Sequence, residues 1–229
     1  MLDPQGKGVT LTTDKALKPG DAVTVTYPCF AVDQGDSRRE TLTFTVAEPQ
    51  RAAATFVKTD DTTSGTWKGT YGADGAVIAG DNPKASAAPK YVIVTPTNKG
   101  DGSPWAANPA DPRYPQKTGE AKDRSVTSWT APEQFDINIE ITDGKEHQAA
   151  LYCVGWGKNF QMTIEVLDAD TKAVLDTQTV QDYIKGKYLV WNLKGQVIVR
   201  LSSTIQEEGT AALAAGVFFD PPVPSAGRP

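Results

Sequence analysis

The side chains most used for metal binding and nucleophilic relays are scarce in this chain: one histidine, His147, and two cysteines, Cys29 and Cys153, in 229 residues. A histidine-based triad needs its imidazole beside a Ser or Cys nucleophile and a carboxylate, and no nucleophile-elbow spacing occurs. His147 is therefore expected to have a structural role. Two cysteines are too few for a disulfide framework, and with one histidine they lack the spacing of a structural zinc site. Cys153 sits in the apolar run Ala149-Ala150-Leu151-Tyr152-Cys153-Val154, as a buried thiol or as a partner of Cys29. Like charges never gather into a block, and the formal net charge is −5. The Lys/Arg footprint of a nucleic-acid-binding face is thus missing. Apolar runs such as 211–219 are far too short to span a bilayer. No signal peptide is visible. The chain opens at Met1-Leu2-Asp3-Pro4, already close to a strand pattern, and is expected to be a piece of a longer protein with its targeting signal elsewhere.

Helical periodicity is also lacking, and strands fill the space. Alternating or β-branched runs predict strands at 9–13, 22–27, 41–46, 55–57, 91–95, 135–141, 148–154, 162–167, 174–180, 188–193, 197–202 and 213–219. The clearest is Phe135-Asp136-Ile137-Asn138-Ile139-Glu140-Ile141. Its apolar side chains share one face, as a half-buried antiparallel strand requires. Asp143-Gly144, Lys185-Gly186 and Lys194-Gly195 supply the residues with φ > 0 that tight connections use. Many short strands with such punctuation predict an all-β, two-layer antiparallel sandwich. A chain of this size buries roughly 70% of its unfolded surface, enough for a sizeable core.

A boundary is expected near 48–54, Glu48-Pro49-Gln50-Arg51-Ala52-Ala53-Ala54. Residues 1–50 would be partial immunoglobulin-like strands or an N-terminal extension, 51–221 the sandwich, and 222–229 a flexible tail. The region 85–124, rich in Pro, Gly, Asn and Asp, reads as one strand followed by a long loop. Loops of that length inside a compact domain are often functional.

Several segments carry a resemblance. Phe56-Val57-Lys58-Thr59-Asp60 is followed by Gly65-Thr66-Trp67-Lys68-Gly69-Thr70-Tyr71-Gly72-Ala73-Asp74-Gly75, then Trp105 with Asp111-Pro112-Arg113, and Ser128-Trp129. Next come Thr142-Asp143-Gly144 with His147, Tyr188-Leu189-Val190-Trp191-Asn192, and Gly216-Val217-Phe218-Phe219-Asp220-Pro221. In this order they resemble a non-catalytic accessory domain of large secreted bacterial proteins, akin to carbohydrate-binding modules and often found beside glycoside hydrolase domains. The likeness covers about 55–221. The segments Gly8-Val9-Thr10-Leu11-Thr12-Thr13 and Asp21-Ala22-Val23-Thr24-Val25-Thr26-Tyr27 resemble the end of a bacterial immunoglobulin-like repeat. The chain departs from the accessory-domain pattern at Ala76, where an aromatic would follow Gly75, and at Gly155, where an acidic residue would precede Trp156. The resemblance implies a jelly-roll or galactose-binding-like β-sandwich, and an extracellular or cell-surface module whose partners are a polysaccharide and other domains of the same polypeptide.

Aromatic side chains are the candidate ligand surface, because their faces stack on the C–H faces of sugars while polar neighbours bond the hydroxyls. Trp67 and Tyr71, spaced i, i+4, would share one face of a strand, either in the core or against a ligand. Trp105 lies in a polar loop with Asp111 and Arg113, which could bond sugar hydroxyls. Trp129 and Trp156 fall between the core and ligand-surface readings, and Trp191 reads as core. No cofactor is required, although Asp60 and Asp61, or Asp168 and Asp170, offer hard oxygen ligands for a structural calcium. Paired carboxylates among Asp60, Asp61, Asp136, Glu140, Asp168 and Asp170 could in principle serve a glycosidase. The leading expectation is a carbohydrate-binding accessory module and no enzyme. A structural spacer or adhesion module without a small ligand is the first alternative, and a catalytic glycan-active domain the second.

Overall fold

Alternation and turn chemistry decide how these strands pair. In the computed structural model, residues 17–18, 20–30, 37–45, 51–81, 88–102, 108–119, 123–155, 161–205 and 211–222 are described. The chain divides into two compact units, Met1–Pro49 and Gln50–Pro229. The first contains β1 (Ala22–Phe30) and β2 (Ser37–Thr45), an antiparallel pair in which Val23 faces Phe44 and Val25 faces Leu42. Thr24 with Thr43 and Thr26 with Thr41 bring their hydroxyls to 3.3 Å on the other face. The strand expected at 9–13 lies outside the described residues.

The second unit is all-β. Its strands are β3 (Ala53–Asp60), β4 (Gly75–Ile78), β5 (Val92–Thr97), β6 (Gly100–Gly102), β7 (Ser128–Ala131), β8 (Gln134–Ile141) and β9 (His147–Cys153). They continue with β10 (Gln161–Asp168), β11 (Val174–Gln181), β12 (Lys187–Lys194), β13 (Gln196–Ser203), β14 (Ala212–Ala214) and β15 (Gly216–Asp220). Two five-stranded antiparallel sheets form a sandwich, in the orders β11-β10-β13-β8-β5 and β3-β12-β9-β15-β4, and β14-β7-β6 form a smaller sheet. Among the described residues no helix is long and apolar enough to cross a membrane.

The inner faces meet where the alternation says they should. Phe135, Ile137, Ile139 and Ile141 of β8 pack with Met162, Ile164 and Val166 of β10 and Val197, Val199 and Leu201 of β13. Leu151, Leu189, Trp191, Val217 and Phe219 answer from the other sheet. Cys153 joins this core as a buried free thiol, and burial pushes its pKa up. The outer face of the β8 sheet is polar. There Arg200 grips Asp136 at 2.9 and 3.0 Å across the β13–β8 register.

In the β9 sheet, strands β12, β9 and β15 are buried on both sides. Its outer residues Ala76, Ala150, Tyr152, Tyr188, Val190 and Phe218 form a second core with Trp67 and Tyr71. The cover is irregular chain. The Tyr188 hydroxyl donates to the Ser64 carbonyl at 2.6 Å, and the Tyr152 hydroxyl to the Arg113 carbonyl at 2.8 Å. Arg124 clamps the Tyr114 carbonyl at 2.6 Å, and the Gln116 amide donates to Gly65 at 3.0 Å. The region read as one strand followed by a long loop holds that strand as β5, adds the short β6, and has its 108–119 part bound down on the outer face of the sheet. Ala76, the small residue in place of an aromatic, lies fully buried in this layer.

Two connections need glycine. Gly195 (φ 71°) makes the one-residue link from β12 to β13. Gly186 has φ 87°, and a Cβ there would overlap the Tyr152 hydroxyl.

Candidate functional site

Each sheet ends on one side in a strand with a free edge, and these two edges frame a cleft. Pro96 identifies β5 as an edge, because proline donates nothing to a ladder and is tolerated there. The four-residue β4 is the edge of the other sheet. Between them lies an open cleft of about 720 Å³, within the range of small-ligand sites. Val92, Val94 and Pro96 form one apolar wall, and Val77 and Ile78 the other. Ile93 stands 54% exposed at the mouth.

The small sheet brings polar chemistry to this cleft. Asp101 of β6 sits directly across from Trp129 of β7, and both line the cleft. Lys99 pairs with Asp101, whose side chain is 61% exposed. Asn98 turns the chain into β6 with φ 56°, a left-handed conformation that asparagine tolerates. The result is apolar surface beside an indole, a carboxylate and an ammonium group.

A second cleft of about 400 Å³ opens beside the turns that follow β3. Trp67 and Tyr71 form its floor, with Lys68, Thr70, Thr118 and Asp220 around them. Lys68 Nζ donates to the Gly119 carbonyl at 2.9 Å and lies 5.7 Å from the Trp67 ring centre. Asp220 accepts the amides of Gly72 at 3.0 Å and Ala73 at 2.8 Å, which fixes the loop.

The predicted ligand residues do not converge. Trp67 and Tyr71, weighed as core or ligand surface, are core residues only 6% and 3% exposed. They lie in turns instead of a strand: the amides of Thr70 and Tyr71 both donate to the Trp67 carbonyl at 2.9 Å. The Trp67 ring meets Phe218 at 4.9 Å, and Tyr71 stacks on Tyr188 at 4.5 Å. Trp129 is 5% exposed, and what it exposes faces the larger cleft. Trp105 and Trp156 lie outside the described residues. Asp111 and Arg113 bind one another. Arg113 Nε and Nη2 donate to the carboxylate at 3.0 and 2.7 Å, and Nη1 to the Ile184 carbonyl at 3.2 Å. The guanidinium's hydrogen bonds hold the Asp111 carboxyl below the usual carboxylate range.

Two of the calcium candidates, Asp60 and Asp168, accept hydrogen bonds from the chain's own donors. Asp60 accepts the amide and hydroxyl of Thr62 at 2.8 and 2.7 Å, those of Thr63 at 3.2 and 2.6 Å, and the Tyr71 hydroxyl at 2.9 Å. Burial alone would raise this carboxyl, but the Thr63 and Thr62 donors outweigh it and hold it well below the usual range. These donors engage both oxygens of the Asp60 carboxylate. Asp168 likewise turns one oxygen to the amides of Asp170 and Thr171, at 2.9 and 2.8 Å. Among the described residues no three acidic, His or Cys side chains gather to hold a metal. His147 is buried, stacked on Tyr91 at 3.6 Å and bonded to Asp143 at 3.0 Å, as a packing residue is.

Lys99, Asp101 and Ile93 were missed by residue-level reading. The signal available was regional, since all three lie in the 85–124 stretch marked by its Pro, Gly and Asn content. No protein-family model matches the chain, and no curated protein matches it. Among solved structures it is similar to a carbohydrate-binding module, TmCBM61, solved in complex with β-1,4-galactotriose. The identity is 15%, the match covers 58% of this chain and 86% of that one, and the TM-score is 0.27.

Proposed function

We propose that the chain is a carbohydrate-binding, non-catalytic accessory module of a secreted or surface-attached multidomain protein, and that its glycan sits in the cleft between the β4 and β5 edges. The carrying observation is the lining of that cleft. Apolar walls and the Trp129 edge suit sugar C–H faces, while Asp101 and Lys99 supply an acceptor and donors for hydroxyls. Both signs of charge occur side by side, which suits a neutral polyhydroxylated ligand better than an anion or a cation. The walls belong to paired strands, so the geometry is pre-organised and little entropy is lost on binding.

The burial of Trp67, Tyr71 and Trp129 favours a second reading, a spacer or adhesion module with no small ligand. One experiment separates the two. The intact chain is screened on a glycan array, and the best hit is titrated calorimetrically against wild type and Asp101→Ala, with hydrolysis products checked in parallel. Binding without hydrolysis, weakened about tenfold or more in the variant, is the expected result; tenfold corresponds to ~1.4 kcal/mol. Failure to bind any glycan would leave the spacer reading.

A further inference from the structure

The two clefts share a wall. Thr118 lines the smaller cleft and Asp81 the larger, and the Thr118 amide and hydroxyl both donate to Asp81 Oδ2, at 2.8 and 2.7 Å. Among the described residues, this hydrogen-bonded pair joins the two linings. The wall is held from behind. The Lys117 amide donates to the Asp123 carbonyl at 2.8 Å, and the Gln116 amide to the Gly65 carbonyl at 3.0 Å. The indole of Trp67 donates to the Gln116 carbonyl at 2.7 Å, tying the floor of the smaller cleft to the same segment.

The two linings are alike in kind. Each has an indole on the floor and a lysine at the rim: Trp129 with Lys99 in one, Trp67 with Lys68 in the other. Thr70 adds an exposed hydroxyl to the smaller cleft. Two adjoining sites of like chemistry, at a spacing fixed by a tied wall, suit one ligand that repeats its chemistry along its length.

We infer that the ligand is an extended oligosaccharide segment occupying both clefts and crossing the Asp81–Thr118 wall, so that the module reads the interior of a chain and not a single terminal sugar. This rests on the glycan-binding reading above. A fixed spacing also selects among linkages, because only a chain whose turn per sugar matches it can enter both clefts. Neighbouring subsites on one rigid scaffold add their contributions through effective concentration, so affinity climbs with ligand length until both are filled.

The test is a calorimetric ladder. β-1,4-linked galacto-, gluco- and manno-oligosaccharides, from disaccharide to hexasaccharide, are titrated into wild type, Lys68→Ala, Thr70→Ala and Asp101→Ala. Lys68 is half-buried and Thr70 exposed, so these truncations leave the second core in place; a thermal melt of each variant checks this. Wild type should gain about tenfold or more in affinity between the shortest and longest members of the series it binds. Lys68→Ala and Thr70→Ala should flatten that gain, whereas Asp101→Ala should weaken every length. A length gain that survives in both smaller-cleft variants overturns the inference but leaves the larger cleft as a glycan site. Equal affinity for short and long chains in wild type overturns it in the same way. No binding at any length, across all three series and the glycan array, removes the glycan-binding reading and this inference with it.

Discussion

The two sheets of the sandwich each contain five antiparallel strands but meet the solvent differently. The β8 sheet keeps a polar outer face, where Arg200 and Asp136 pair and Asn138 bonds Thr95 and Thr97. The β9 sheet carries tyrosine and phenylalanine outward and covers them with turns. A strand with one wet face announces itself by alternation, and one dry on both faces reads as a continuous apolar run. The β8 and β12 sequences, Gln134–Ile141 and Lys187–Lys194, show the contrast. The second kind of sheet needs loops to finish it, and those loops supply Trp67, Tyr71 and the smaller cleft.

The largest test of this contrast is Trp67→Ala. If the turns form a true second core, the loss should be about 3–5 kcal/mol, comparable to Trp191→Ala in the main core. Urea unfolding monitored by fluorescence measures both; a loss below about 1 kcal/mol for Trp67 would reduce the layer to a loose cover. Gly186→Ala tests the seam between strand and cover. It combines a left-handed backbone with a clash against Tyr152 and should cost about 2–5 kcal/mol by the same assay.

Asp60→Asn follows at about 1.5–3 kcal/mol, the scale of hydrogen bonds to a charged group. Its carboxyl is held below the ordinary value, so the stabilisation is complete above the unfolded value of about 3.9 and is lost as pH falls toward the folded one. The stability difference between wild type and Asp60→Asn should therefore stay constant from neutrality down to about pH 5 and shrink below about pH 4. On the wet sheet, Arg200→Ala should cost only about 0.2–1 kcal/mol, as half-exposed ion pairs do. A larger loss there would show that the polar face matters more to stability than the contrast allows.

Legibility in the sequence follows the same division. Strands with one wet face, such as β8 and β13, were readable with bounds within a residue or two, because solvent enforces the period. The strands β4, β6 and β7 were not, since three or four residues carry no period. The run expected as one strand at 213–219 divides at Ala215. Its amide donates to Tyr152 at 2.8 Å, and its carbonyl accepts from Ala79 at 3.0 Å. Residues on either side serve different sheets, a tertiary fact that no local pattern records. Trp67 and Tyr71 were rightly placed on one face, but by a turn and not by strand spacing. The site was legible only as a region. Lys99 and Asp101 gain meaning from β6 lying against Trp129, a pairing between segments nearly thirty residues apart.

The most direct measurement of the central claim is amide chemical-shift mapping of the isotopically labelled chain titrated with the best-binding oligosaccharide. The account predicts the largest shifts at Ile93, Lys99, Asp101 and the Trp129 indole, in the cleft between the β4 and β5 edges. Shifts confined to the polar outer face of the β8 sheet or to the β1–β2 pair, with the cleft residues unmoved, would contradict it.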